Sequence, residues 1–341
     1  MHKADLPLHY GSAPKWLFVR MKNLAKEIFR IMYEEYGNKT ILERLENPYW
    51  FQCLSCVLGF DWHSSGTTTV TIGALKEAFA EADIGIKVAG GKGSISRKTP
   101  QELCNICKKF DLEAEDYIML SKAAAKLDSA IIQDGFQLYH HSFFLDENGN
   151  WLVIQQGLNP QSRYARRYHI KDKNLLKKFA KENFQHICSD EKKNKILDLN
   201  TKQSRDAKEL IVELIQEKKL NRHKHLIMGR SLNWKTVEKL HKLEPQNFVE
   251  LALTYGVGPK TIRCLALIAK LIYGKEVFWK DPAAYSFAVG GKDGVPFPVD
   301  KKVMDQAIFE LKNAVEQAKI SKKEKLNSIK RLTNFTIPKF T

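Results

Sequence analysis

Between residues 136 and 158 the hydrophobic period of the chain changes from 3.6 to 2, and this change constrains the fold more than any other feature. Residues 136–145 and 151–158 are aromatic and β-rich runs separated by Asp146-Glu147-Asn148-Gly149-Asn150. Asn-Gly between two such runs is the strongest short hairpin signal a sequence carries. With Asn148 and Gly149 as a two-residue turn, Ser142 faces Gln155 and His141 faces Gln156. His140, Ser142 and Gln155 then share one face, and His141, Phe143 and Ile154 the other.

Around this hairpin the chain reads as helix. Residues 13–58 place Trp16, Leu17, Met21, Leu24, Ile28, Ile31 and Met32 at helical spacing. Asn47-Pro48 breaks that run, and a second apolar helix follows over 50–58. Thr99-Pro100-Gln101-Glu102 opens another helix with an N-cap and a proline at its first position. Residues 116–132 form one more, ending at Gln133-Asp134-Gly135. Further helices are predicted over 203–219, 233–243, 245–254, 259–273 and 300–332, with 189–206 as a linker or exposed helix and a loosely packed tail over 322–341. The expected fold class is α+β: a mixed N-terminal domain, residues 1–190, with a hairpin or small sheet, and an all-helical C-terminal domain, residues 191–341.

Charge separates the two halves. The 341 residues carry a formal net charge of +16, of which residues 1–170 contribute +1 and residues 171–341 contribute +15. A surplus placed this unevenly is the footprint of a polyanion binder, against the plainer alternative of a lysine-rich solubilising surface. No run of about 18 apolar residues exists, which excludes a membrane-spanning helix. The N-terminal residues lack an apolar signal core, so a cytoplasmic protein is expected. Cys53-x-x-Cys56 and Cys104-x-x-Cys107 have zinc-site spacing, but their helical, apolar settings without turn glycines read as small buried hydrophobes.

The sharpest short motif is Tyr255-Gly256-Val257-Gly258-Pro259-Lys260-Thr261, set between two amphipathic segments. Gly256 and Gly258 permit a tight turn, and the amides at the start of the second helix, with Lys260 and Thr261, suit a phosphate oxygen without reading bases. The motif resembles the helix–hairpin–helix of DNA repair proteins, about residues 245–273, with Tyr255 where that motif usually has proline. The plainer alternative is a C-cap glycine followed by a proline-started helix. In the glycosylases that carry this motif, a catalytic Asp lies about 20 residues beyond the second glycine. That position here is Phe278, with Asp281 three residues late.

Four segments of the N-terminal half concentrate polar chemistry. Asp61 and His63, at i and i+2, leave one face of an extended strand and can share a cation, and Ser64-Ser65-Gly66-Thr67 after them can cap a helix. Gly90-Gly91-Lys92-Gly93 with Arg97 and Lys98 suits a loop around an anion. Asp128, Asp134 and His140 place carboxylates and imidazole within one loop–strand unit, a hard-cation site of the kind used in phosphodiester cleavage. Arg163, Arg166 and Arg167, interleaved with Tyr164 and Tyr168, suit phosphate clamping and base stacking. Each has a bland counterpart: a turn carboxylate, an exposed loop, a satisfied strand histidine, a salt-bridged surface helix.

Several of these runs are familiar together. Leu58-Gly59-Phe60-Asp61-Trp62-His63-Ser64-Ser65-Gly66, Gln133-Asp134-Gly135-Phe136-Gln137-Leu138-Tyr139-His140-His141, Ser162-Arg163-Tyr164-Ala165-Arg166-Arg167-Tyr168-His169 and Gly290-Gly291-Lys292-Asp293-Gly294 resemble the archaeal and bacterial family catalogued as domain of unknown function 763. The resemblance spans about residues 4–330 and implies metal-dependent nuclease activity on DNA without fixing polarity or the metal ligands. The resulting expectation is a Mg²⁺- or Mn²⁺-dependent DNA nuclease, an exonuclease in DNA repair or processing. Asp61, His63, Asp128, Asp134 and His140 would bind metal. Lys92, Arg163, Arg166 and Arg167 would clamp the scissile phosphate, Tyr168 would contact DNA, and Gly256, Gly258, Lys260 and Thr261 would hold the strand away from the cut. The alternatives are a non-catalytic structure-specific DNA-binding protein and a helix–hairpin–helix DNA glycosylase.

Overall fold

The computed structural model describes residues 6–7, 13–60, 64–171, 175–178, 187–188, 196–220, 233–279, 301–318 and 321–334. It is a mixed α+β structure, mostly helical around a small antiparallel sheet. Helix α1 (Lys15–Glu46), bent at Gly37, is followed by α2 (Pro48–Leu58) and α3 (Ser65–Glu81). Asn47 ends the first helix and caps the second, its side-chain oxygen accepting from the amides of Tyr49 (2.9 Å) and Trp50 (3.2 Å). The Ser64/Thr67 capping box starts α3.

The sheet follows. Its order is β1 (Leu6–Pro7), β6 (Tyr164–Ile170), β5 (Trp151–Asn159), β4 (Gln137–Asp146), β2 (Ile86–Lys92), with β7 (Ile187–Cys188) on β6. A 3₁₀ turn (Gly93–Lys98), α4 (Thr99–Phe110), α5 (Ala114–Lys126) and a π-helical turn (Leu127–Ile131) connect β2 to β3 (Ile132–Gln133). After β6 come α6 (Leu175–Lys178), β8 (Leu197–Asp198), which pairs with β3, α7 (Arg205–Gln216), α8 (Trp234–Leu243), α9 (Phe248–Leu253), α10 (Pro259–Leu271), α11 (Lys301–Gln317) and α12 (Lys322–Asn334). Strand β8, within residues 191–341, corrects the all-helical expectation for that part. Residues 300–332 form two helices, and α12 packs on α2 with Ser328 fully buried, so the described part of the tail is not loose.

The hairpin is where predicted, but its register is shifted by one. His141 pairs with Gln155 and His140 with Gln156. The buried Asp146 is the reason. Its carboxylate accepts the amides of Asn148 (2.9 Å) and Asn150 (2.7 Å), organising a three-residue loop of Glu147, Asn148 and Gly149. Because side chains alternate, the shift moves Gln155 to the face of His141 and Ile154 to the face of His140.

Both faces of the sheet are covered. Val88, Phe144, Leu152 and Ile154 join α1, α2, α3 and residues Leu311, Ala314 and Val315 of α11 in one core cluster. Ala89, Phe143, Val153, Tyr168 and Ile170 join α4, α5 and α7 through α10 in the other. Each cluster thus draws on residues from both sides of residue 190. Cys53 lies in the first cluster and Cys107 in the second, so the two cysteine pairs do not meet; burial pushes the Cys53 thiol up to about 12.

Candidate functional site

Strand β6 contributes side chains to both faces alternately, and this sorts the predicted site residues. Arg166 and Tyr168 face the second cluster with Gln155 and His141; Arg167 and His169 face the first with Gln156 and His140. Asp128, on the π-helical turn, and Asp134, in the turn after β3, join Arg166 and Tyr168. His140 is on the opposite face, so the structure does not bring it to Asp128 and Asp134. The cause is the period of two: His140 and His141 are consecutive, and only His141 points to the carboxylate side. Asp61 and His63 lie outside the described residues.

The carboxylate side is a buried hydrogen-bond network. Arg166 Nη1 donates to Asp134 Oδ2 (2.8 Å), the Tyr168 hydroxyl donates to the same oxygen, and the Phe136 amide donates to Asp134 Oδ1 (3.0 Å). The Arg166 guanidinium stacks on the Phe136 ring, 4.6 Å from its centroid. Gln155 Nε2 donates to Ala124 O (2.9 Å) and, at 3.4 Å, to Asp128 Oδ2, while its oxygen bonds His141, whose other nitrogen meets Ser121 Oγ at 2.8 Å. Asp128 Oδ1 is buried with no hydrogen-bond partner. Burial, then the charge of Asp134, push the Asp128 carboxyl well above the usual carboxylate range, against the pull of Tyr168 and Arg166.

Arg166 and Arg167 are 0% exposed and Tyr168 is 1% exposed. The strand that carries them is interior, so none of the three side chains is displayed at the surface, where the sequence reading expected phosphate and base contacts. Arg167 stacks on Phe51 (4.7 Å) and approaches Thr68 and Pro48. His140 bonds Ser142 (3.0 Å), and burial lowers it to about 3, so it is neutral. Lys92 and Arg163 are exposed, at the end of β2 and in the β5–β6 turn.

The glycine motif lies between α9 and α10 as expected. Gly256 has φ +97°, which only glycine adopts freely, and it packs against Thr236. Gly258 has an ordinary φ of −124°, and a Cβ there would meet nothing within 4 Å. Ile262 donates the first helical bond to Gly258 O (3.1 Å), so the amides of Lys260 and Thr261 precede it. Lys260 is exposed; the Thr261 side chain is buried, which corrects its expected hydroxyl contact.

Three residues that sequence reasoning missed dock this turn onto the carboxylate loop. Lys126 donates to Val257 O, Gln133 Nε2 to Pro259 O (2.8 Å), and Arg263 Nε to Gln133 Oε1 (2.7 Å). As a result Asp128, Ser129, Gln133, Phe136, Lys260 and Arg263 line one cleft of about 490 Å³. Gln155 was also missed as a support of Asp128; two glutamines inside an apolar strand are the signal that could have found it.

Hard oxygen donors suit Mg²⁺ or Mn²⁺, which bind through one or two carboxylates and leave the remaining positions to water and substrate phosphate. Asp128, with its unpartnered buried oxygen, and Asp134 fit that pattern. Among the described residues no third His, Cys, Asp or Glu completes a cluster with them. Position 278 is a phenylalanine bridged to Asp198, and Asp281 lies outside the described residues.

No curated protein and no solved structure matches the chain. A family model described as "Protein of unknown function (DUF763)" matches residues 2–299, and the chain belongs to that family.

Proposed function

We propose that the protein is a metal-dependent DNA nuclease in which a helix–hairpin–helix holds the backbone beside a two-carboxylate site. The observation that carries this reading is the shared cleft: Asp128 and the start of α10 line the same wall-to-wall space. Gly258 supports it. Neither its φ nor its neighbours demand a glycine, so the missing side chain leaves room for something outside the chain. The charge of the C-terminal half, +15 over residues 171–341, suits a polyanion.

The cation, held by Asp128 and Asp134, would supply Lewis acidity and an activated water. The protein's own groups do the rest. Lys260 and the amides of Lys260 and Thr261 bind a phosphate of the strand. Arg166 and Tyr168 fix Asp134, and the chain Ser121–His141–Gln155 fixes the neighbourhood of Asp128. Asp128, whose carboxyl is raised by burial and by the like charge of Asp134, would give up its proton to hold the cation.

The test is incubation with end-labelled single- and double-stranded DNA in Mg²⁺, Mn²⁺ or EDTA. We expect cleavage only with metal, and a loss of about 100-fold or more in Asp128→Asn with DNA binding retained. Bound but intact DNA in every condition would favour a non-catalytic binder instead. Abasic sites formed in EDTA would favour a glycosylase.

A further inference from the structure

We propose that the turn over residues 92–98 is a second DNA-backbone contact, on the path a strand takes as it leaves the hairpin cleft. The inference rests on the DNA-binding reading above. Lys92, Arg97 and Lys98 are exposed, and none of them forms an ion pair or side-chain hydrogen bond with a described residue. The nearest carboxylate in sequence, Glu102, is already engaged: its Oε2 accepts from Lys76 Nζ (2.5 Å) and from the Gly90 amide (2.8 Å). Three cations without acids in seven residues favour an anion from outside the chain over a solvated ion-pair surface.

The turn is also built to hold its shape. Gly90 has φ +87°, and a Cβ there would stand 2.2 Å from His141 O, so the backbone can bend at this point only as glycine. Beyond it, Ser96 Oγ donates to Gly93 O (2.6 Å) and Thr99 Oγ1 donates to Ser96 O (2.6 Å). A contact surface that is ordered before binding loses less entropy when it binds.

Its position joins it to the cleft. Lys92 pairs with His140 on β4, and the residues just before His140, Gln137 and Leu138, line the cleft. Adjacent strands are about 4.8 Å apart and two residues advance about 7 Å, so the turn starts within about 10 Å of the cleft's edge. The exposed Arg163 lies at this same end of the sheet, because Leu158, near the end of β5, pairs with Gln137. Cations spread along an edge rather than converging on a point suit a chain of phosphates rather than one small anion.

The experiment is fluorescence anisotropy of a labelled single-stranded DNA of about twelve nucleotides, titrated across salt. Each phosphate contact on a single strand adds about 0.7 to the slope of log affinity against log salt. Arg97→Ala/Lys98→Ala should lower that slope by about 1.4, and Lys260→Ala by about 0.7. Lys322→Ala/Lys323→Ala on α12, which removes the same charge elsewhere, should leave it unchanged. A slope unmoved by the Arg97/Lys98 pair but lowered by Lys260→Ala overturns the proposal and leaves the hairpin reading standing. The reverse pattern keeps the turn as a contact and overturns the hairpin. An equal fall in the α12 control assigns the effect to net charge and overturns the proposal. Both loop positions are exposed, so a thermal melt within about 2 °C of the parent checks that the fold is intact.

Discussion

Two glycines two residues apart do opposite work. Gly256 is required by its own backbone, at φ +97°; Gly256→Ala should cost about 1–2 kcal/mol in urea denaturation. Gly258 is the N-cap of α10 without such a demand. Serine is a favoured N-cap, so Gly258→Ser should keep or raise stability. Its hydroxyl would occupy the amides offered to a phosphate, and DNA affinity should fall about tenfold, or about 1.4 kcal/mol. Stability lost together with binding would mean that Gly258 is structural. Arg166 offers the contrasting case of a fully buried cation. Arg166→Met leaves Asp134 buried without its guanidinium, and unfolding free energy should drop by about 3–5 kcal/mol. A change below about 1 kcal/mol would show that Tyr168 and the Phe136 amide suffice.

At the scale of elements, the central hairpin controls both the cores and the site. Its sequence announces two strands and their turn, yet Asp146 lengthens the loop by one residue and so decides which of two histidines pairs with Gln155. His141 is buried between Ser121 and Gln155, and burial lowers it to about 4. The unfolded chain binds this proton below about pH 6.5, whereas the folded chain does not until about pH 4. Stability from this group is therefore present above pH 6.5 and lost as pH falls towards 4, by up to about 1.4 kcal/mol per unit. Urea midpoints measured across that range should fall less steeply in His141→Gln than in the parent. Parallel curves for the two proteins would show that the ring is not buried neutral. Strands β2 and β6 were harder to read. Strand β6 is buried on both faces, which removes the polar–apolar alternation that marks a strand, so it reads as an arginine clamp, while the glycines at the end of β2 read as a loop.

At the scale of the molecule, the α9–α10 turn is tied to the carboxylate loop because Gln133 bonds both Pro259 and Arg263. Gln133→Ala should lower stability by about 1–2 kcal/mol. It should also speed amide hydrogen exchange across α9 and α10 while leaving α1 through α3 unchanged; uniform acceleration would mean that the docking is shared by the whole core. The helices flanking Asn47, the sheet hairpin and the α9–α10 turn were legible from local signals, since capping, period and turn chemistry act within a few residues. Family membership was legible too, because it resides in short contiguous runs. What lay beyond the sequence was long-range: Asp128 beside Asp134, His140 turned away from both, three clustered residues of β6 buried rather than displayed. Those outcomes depend on the parity of the β4–β5 register and on helices that close over both faces of the sheet. Neither is encoded within any one segment. The sequence by itself determined the helices on either side of Asn47, the β4–β5 hairpin and the α9–α10 turn. Only the tertiary structure decided which polar groups face each other and which face water, because a shift of one residue in an antiparallel pair exchanges the two faces.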